Sequence, residues 1–244
     1  MSVVLVTGAS SGIGAAVAIA FAESGWEVMA AGRDEDRLSE VAEVSDAIAT
    51  WAGELEDSED CDELVAETLD EFGSLNCLVN SAGVLPRADA IETSDEIWRD
   101  TLRLNLDIPF YLSRTALPEL IRTRGNIVNI ASYWGLQADE RTVAYATSKA
   151  GLIMLGKCMA KDHAADGVRV NAVCPGWVDT PMLALTADNI GQPVDEFLEE
   201  AISFSPNGRI ATPEEVASLV LFLASEAAAQ INGAAIPIDG GLSA

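Results

Sequence analysis

Short runs of apolar, largely β-branched residues alternate with longer stretches whose apolar positions recur at helical spacing, and this alternation limits the fold more than any other feature. The first run is Val3–Thr7, and others follow at Trp26–Ala31, Ala47–Trp51, Leu75–Val79, Asn126–Ala131, Val168–Cys174 and Ala234–Ile238. Between them, Ala15–Ser24, Glu35–Val44, Asp60–Phe72, Asp95–Ile121, Val143–Ala165 and Pro213–Ser225 read as helices. A strand exposed on one face alternates apolar and polar residues, whereas these runs are continuous and call for cover on both faces. The expected fold class is therefore α/β: a doubly wound parallel sheet of about seven strands flanked by helices. No Pro- or Ser-rich linker, low-complexity tract or sustained repeat interrupts the alternation, so residues 1–244 are expected to form one domain. Only residues 180–205 are irregular and partly helical, a composition that suits a substrate lid.

Charge removes several partner classes. The chain has 39 acidic and 14 basic residues, a net charge of −25, and such a surface repels phosphate backbones and anionic lipid headgroups. Neither nucleic acid nor membrane is an expected partner. The apolar start Ser2–Val6 has no basic lead, and no stretch reaches the roughly 18 apolar residues of a spanning helix, so a cytoplasmic location is expected. Cys61, Cys77, Cys158 and Cys174 form no Cys-x-x-Cys pair and are expected to be small buried apolar residues. A single histidine, His163, cannot build a multi-histidine zinc site, so no metal is expected and redox chemistry falls to organic groups. Lysine occurs only at 149, 157 and 161, and acidic clusters lie at 34–36, 54–63 and 195–200. Adaptation to high salt and an ordinary acidic surface with solvated helix faces both account for this pattern.

Gly8, Gly12 and Gly14 follow the first strand and open a helix. This spacing permits a sharp turn, exposes backbone N–H groups to a pyrophosphate and seats the helix against the strand. A dinucleotide is the ligand this context suits. Gly8-Ala9-Ser10-Ser11-Gly12 also satisfies the nucleophile-elbow pattern of α/β hydrolases, with Ser10 as nucleophile. That alternative needs a histidine on a loop beyond the late strands, and His163 lies in a helical stretch before the sixth strand.

Taken together, Thr7-Gly8-x-x-x-Gly12-x-Gly14, Asn80-Ser81-Ala82-Gly83, Ser132, Tyr145-x-x-Ser148-Lys149, Pro175-Gly176 and Asp239-Gly240-Gly241 resemble the classical short-chain dehydrogenases/reductases over nearly the whole chain. The resemblance implies a Rossmann-type domain, NAD or NADP as cofactor, and interconversion of an alcohol and a carbonyl. It places the cofactor against Gly8, Ser10, Ser11, Gly12, Ile13, Gly14, Arg33, Glu54, Leu55, Asn80, Ala82, Gly83, Pro175 and Gly176. Val178 and Thr180 are assigned by it to the nicotinamide carboxamide. At the end of the second strand Gly32-Arg33 offers a cation and no acid, which favours the 2′-phosphate of NADP. Two positions depart from the family pattern: Glu54 stands for an adenine-contacting aspartate, and Ser81 for a second asparagine.

Tyr145 and Lys149 are four apart on a helix and project from one face. An adjacent ammonium and an oxidised nicotinamide both favour the phenolate of a tyrosine, which can then act as general base in oxidation and general acid in reduction. Ser132 ends the fifth strand, at the sheet edge where ligands sit. By resemblance it positions the carbonyl, Lys149 also holds the nicotinamide ribose, and Asn105 orders a water in a proton relay. Asn105 can equally be packing at a helix kink. Val84, Tyr133, Trp134, Leu183, Leu185 and Phe204 can line an apolar pocket or belong to the core, and Arg141 can meet an anionic substrate or sit on the surface. Surplus apolar residues at Ile153, Met154, Leu155 and Met159 suit a homo-oligomer, and the resemblance implies a tetramer. An alternative from another class is a non-catalytic member that senses NADP, against which the intact Ser132, Tyr145 and Lys149 speak.

Overall fold

The computed structural model describes residues 1–244. Its centre is a seven-stranded, wholly parallel sheet formed by β1 (Val3–Thr7), β2 (Glu27–Gly32), β3 (Ile48–Ala52), β4 (Cys77–Asn80), β5 (Asn126–Ile130), β6 (Arg169–Pro175) and β7 (Ala235–Ile238). The spatial order is β3-β2-β1-β4-β5-β6-β7. Strand order therefore reverses between β1 and β4, and a crevice opens beyond their carboxyl ends, where ligands of open α/β sheets bind.

Side chains alternate across the sheet. Val4 and Val6 of β1 pack under α1 (Gly12–Glu23) and α9 (Pro213–Ala224), with Phe21, Val220 and Leu223. Leu5 points the other way, toward α3 (Ser58–Phe72) and α5 (Ile108–Thr123), with Leu64, Leu112 and Leu120. Burying each such side chain contributes roughly 1.5–3 kcal/mol. β1, β4 and β5 are buried throughout, and the asparagines that β4 and β5 carry among their apolar residues are hydrogen-bonded inside. The outermost strands β3 and β7 are partly exposed because each has a neighbour on one side only.

The remaining helices are α2 (Glu35–Ala42), α4 (Asp95–Leu102), α6 (Val143–Asp162), α7 (Pro181–Asn189) and α8 (Val194–Phe204). Two regions differ from the sequence reading. The single helix expected over Asp95–Ile121 is interrupted by a π-helical turn at Arg103–Asp107, where the Ile108 N–H bonds the Arg103 carbonyl five residues back. Pro109 explains the interruption: it has no N–H to offer the Asn105 carbonyl, and its ring crowds that oxygen. The irregular region 180–205 consists of the two short helices α7 and α8 joined at residues 190–193. No helix is long and apolar enough to cross a membrane.

Candidate active site

The crevice at the strand reversal is a cleft of about 460 Å³. One end is the glycine turn. Gly8 and Gly12 have positive φ, and a Cβ on Gly14 would lie 2.2 Å from the Gly8 carbonyl oxygen, so the first turn of α1 sits directly on the loop that precedes it. A Cβ on Gly8 would meet the Ala82 backbone at 2.9 Å, and one on Gly12 would meet the Thr180 methyl at 3.1 Å. Thr7 joins these walls, its Oγ1 accepting from the N–H groups of Ser81 at 3.1 Å and Ala82 at 3.2 Å. α1, like α5, α6 and α7, has no acidic residue in its first turn and no side-chain cap, and of these it is the helix that opens directly from the glycine turn. Its opening N–H groups and positive dipole end are thus left for a phosphate, and the residues fit a dinucleotide.

Of the residues expected at the cofactor, Gly8, Ser10, Ser11, Gly12, Ile13, Gly14, Arg33, Glu54, Leu55, Ala82, Gly83, Tyr145, Lys149, Pro175, Gly176, Val178 and Thr180 all line this cleft. Asn80 does not. Buried behind the wall, its Nδ2 donates to Asn129 Oδ1 at 2.8 Å and Ser113 Oγ at 3.3 Å, which ties β4 to β5 and α5. Arg33 lies 3.7 Å from Glu54 with its side chain still 70% exposed. Trp51, Arg103, Leu104, Trp177, Met182 and Thr186 also line the cleft, beyond the residues that sequence reasoning singles out. Trp177 stands inside a recognised motif, whereas the others carry no local signal.

The other end of the cleft is built by β5, the short helical turn after it and α6. Ser132 caps the turn Tyr133–Gly135, its Oγ accepting from the Trp134 N–H at 3.1 Å. Tyr145, Lys149 and Ser132 are all buried at the cleft wall. Lys149 Nζ donates to the Ile130 carbonyl at 2.9 Å and lies 5.7 Å from the centre of the Tyr145 ring. Burial pushes the Tyr145 phenol up to about 12, opposed by a hydrogen bond with Ser132, and burial pushes Lys149 down to about 8. An ammonium and an oxidised nicotinamide together are expected to favour the phenolate, and the protein groups by themselves leave the phenol protonated at neutral pH. Desolvation of the phenol is the largest effect on Tyr145, and the Lys149 ammonium is turned to the Ile130 carbonyl.

Asn105 lies behind the wall in the π-turn, fully buried. Its Oδ1 accepts from the Val84 N–H at 2.9 Å, and its Nδ2 donates to the Val84 carbonyl at 2.9 Å and to Ser148 Oγ at 3.0 Å. It therefore braces the Gly83–Val84 turn against α6. Of the apolar candidates, Val84, Tyr133, Trp134 and Leu183 line the cleft, while Leu185 and Phe204 face solvent at 63% and 68% exposure. Arg141 is exposed and paired with Glu92 at 2.6 Å. Cys158 is exposed, unlike the other three cysteines. His163 caps the carboxyl end of α6 just before β6 begins, and Ser10 follows the end of β1. In a parallel sheet these are opposite edges, about 17 Å apart for five-residue strands, so a Ser10–His163 hydrolytic pair does not form.

A parallel sheet with a glycine turn at its reversal point and a Ser, Tyr and Lys at the same crevice defines a Rossmann-type dinucleotide-dependent oxidoreductase. Comparison with known proteins agrees. The family profile described as enoyl-(acyl carrier protein) reductase matches residues 8–243. The 3-oxoacyl-[acyl-carrier-protein] reductase FabG of Thermotoga maritima is 34% identical over 98% of this chain and 97% of its own. The meso-2,3-butanediol dehydrogenase of Serratia marcescens is 36% identical over 99% and 94%. Among solved structures, a single-residue variant of actinorhodin polyketide ketoreductase with NADPH superposes with a TM-score of 0.94 at 32% identity, covering 99% of this chain and 97% of that one. The chain belongs to the short-chain dehydrogenase/reductase family and is an NAD(P)-dependent oxidoreductase.

Proposed function

We propose that the chain interconverts a secondary alcohol and a ketone, with Tyr145 as the proton-transferring residue. The reading rests on one arrangement: a buried tyrosine that shares the cleft wall with Ser132 and stands one helical turn from Lys149, at the far end of a cleft that begins with the glycine turn. A bound nicotinamide supplies the hydride acceptor or donor. In the oxidative direction Tyr145 takes the proton from the substrate oxygen as the C–H hydride departs, and in reduction it returns one. Ser132 holds the substrate oxygen. Lys149 carries positive charge beside the ring, and a ligand hydroxyl that draws Nζ off the Ile130 carbonyl brings that charge to bear on the phenol. Asn105 acts as a positioning residue: both amide hydrogens are committed to Val84 and Ser148, which holds the Gly83–Val84 turn against α6.

For the cofactor, the available Arg33 and the absence of an acid directly after β2 favour NADP over NAD, with Glu54 as a partial counterweight. The helices α7 and α8 serve as a lid over one domain spanning 1–244. Apolar side chains left exposed at Phe110 on α5 and Met154 on α6 support a homo-oligomer, a tetramer by resemblance. Four free cysteines, one of them exposed, suit a reducing cytoplasm.

The test is a panel of alcohols and ketones followed by nicotinamide absorbance with NAD and NADP. Tyr145→Phe is expected to remove turnover and keep dinucleotide affinity by calorimetry. Normal turnover in that variant would overturn the assigned role, and retained affinity without any turnover in the parent chain would favour the NADP-sensing alternative.

A further inference from the structure

Three buried donors beside the reaction end of the cleft have no acceptor: Nε and Nη1 of Arg87, and Nε1 of Trp134. They belong to one cluster. The Arg87 guanidinium carbon lies 5.1 Å from the centre of the Trp134 ring, and that ring meets Tyr145 edge-on at 5.9 Å and Trp177 at 5.3 Å. Trp134 and the neighbouring Leu85 line the cleft itself.

Every unsatisfied group in this cluster is a donor, and one carries a full positive charge. Three arginines are not exposed. Arg103 donates to the Leu55 carbonyl at 3.2 Å, and Arg169 donates to the carbonyls of Leu223 and Ser225 at 2.7 and 3.3 Å. Arg87 alone has neither a carbonyl nor a carboxylate, in a chain with 39 acidic residues to draw on. Its backbone is held firmly. The Ala88 N–H donates to the Arg141 carbonyl at 2.9 Å, and Ala88 bridges Thr142, the residue that leads into α6 and Tyr145. An unpaired guanidinium kept half-buried at a fixed position is costly unless an acceptor-rich group arrives from outside. A carboxylate supplies such an acceptor and complements the guanidinium charge, one oxygen to one N–H, since Nε and Nη1 do not face the same side.

We propose that Arg87, assisted by Trp134 Nε1, is the anion subsite of this active site and that the substrate is an oxo acid or its hydroxy-acid counterpart. The proposal rests on the reaction assigned above: the carbonyl lies at Ser132 and Tyr145, and the carboxylate meets Arg87, which stands behind the cleft wall, once the Trp134 ring turns aside. Because one indole separates the two, the carboxylate stands several bonds from the reacting carbon.

The experiment compares kcat/KM for a series of oxo acids of increasing carbonyl-to-carboxylate separation with their methyl esters, in the parent protein and in Arg87→Met and Arg87→Lys. One chain length is expected to show an acid-over-ester preference of roughly 30-fold or more, the scale of a charged hydrogen bond. Arg87→Met should erase that preference through KM, and Arg87→Lys should restore part of it. Binding is read separately: Tyr145→Phe protein loaded with NADP is titrated with saturated dicarboxylates by tryptophan fluorescence, which should saturate and should vanish when Arg87→Met is added. Equal use of acid and ester by the parent protein, or a preference that survives Arg87→Met, overturns the subsite. Ketone turnover without acid preference sinks the subsite and spares the reaction, whereas carboxylate binding without any carbonyl turnover sinks the reaction and spares the subsite. A change of oligomeric state in Arg87→Met with selectivity unaltered assigns Arg87 to a subunit contact and also overturns it.

Discussion

Lys149 brings an ammonium into a wall where its side chain is only 4% exposed, and the only protein group its Nζ bonds is the Ile130 carbonyl. Burial lowers its pKa from 10.5 to about 8, so between those values the folded chain binds fewer protons than the unfolded one. Stability from this group therefore improves as pH rises through that window, and the full penalty applies below about pH 8. At about 1.4 kcal/mol per pKa unit the penalty is about 3 kcal/mol, and loss of the bond to Ile130 would offset about 1 kcal/mol of any relief. Lys149→Met is accordingly expected to lose turnover while the cofactor-free protein melts higher at pH 7. That gain should shrink toward zero as the melt is repeated between pH 8 and 10.5. A variant that melts lower than the parent at pH 7 would show that packing of the lysine stem, not desolvation of its charge, governs this site.

At the scale of elements, the proposed dinucleotide site depends on how closely α1 is seated on the glycine turn. A Cβ at residue 14 would stand 2.2 Å from the Gly8 oxygen, a backbone atom that cannot swing aside, so Gly14→Ala must push the helix off the turn. Dinucleotide affinity by calorimetry is expected to fall at least tenfold, roughly the worth of one displaced phosphate contact. Gly25, after the end of the same helix, is the control: its φ is +82° and a Cβ there meets nothing within 4 Å. Gly25→Ala should cost about 1–2 kcal/mol of stability through backbone strain and leave affinity unchanged. Equal affinity in the two variants would refute the seating argument. The same elements show what can be read without a structure. β1, β4 and β5 are legible to within two residues because burial on both faces demands mostly apolar runs, broken only by asparagines at 80, 126 and 129 that find hydrogen-bond partners inside, and the glycine turn because its spacing is itself the geometry. The π-turn is not, since one extra residue in a helical turn barely disturbs apolar spacing; Pro109 is its only mark. Arg87 is invisible for another reason. A single arginine after a proline has no period, and its isolation from every acid emerges only once the chain is folded.

Across the whole molecule, attraction between charges is scarce and repulsion is not. Eight ion pairs form, and four of the seven that involve arginine lie within three or four residues on one helix or turn, exposed enough to contribute about 0–1 kcal/mol each. A net charge of −25 spread over 11147 Å² of surface remains uncompensated, with acids gathered in the first turns of α2, α3, α4, α8 and α9. Those first-turn acids favour their own helix dipoles but repel one another across the surface. Salt shortens the reach of that repulsion from about 10 Å at 0.1 M to about 3 Å at 1 M, while pairs already in contact are screened less completely. The melting temperature is therefore expected to climb with sodium chloride, most steeply over the first few tenths molar, where screening acts before preferential exclusion of salt contributes. A surface selected for brine should keep gaining stability up to molar salt, whereas an ordinary acidic surface should level off once the Debye length falls below the spacing of its charges. A melting curve that is flat from low to molar salt would mean that solvated carboxylates on this surface do not interact, and the acidic excess would then need an explanation outside folding stability.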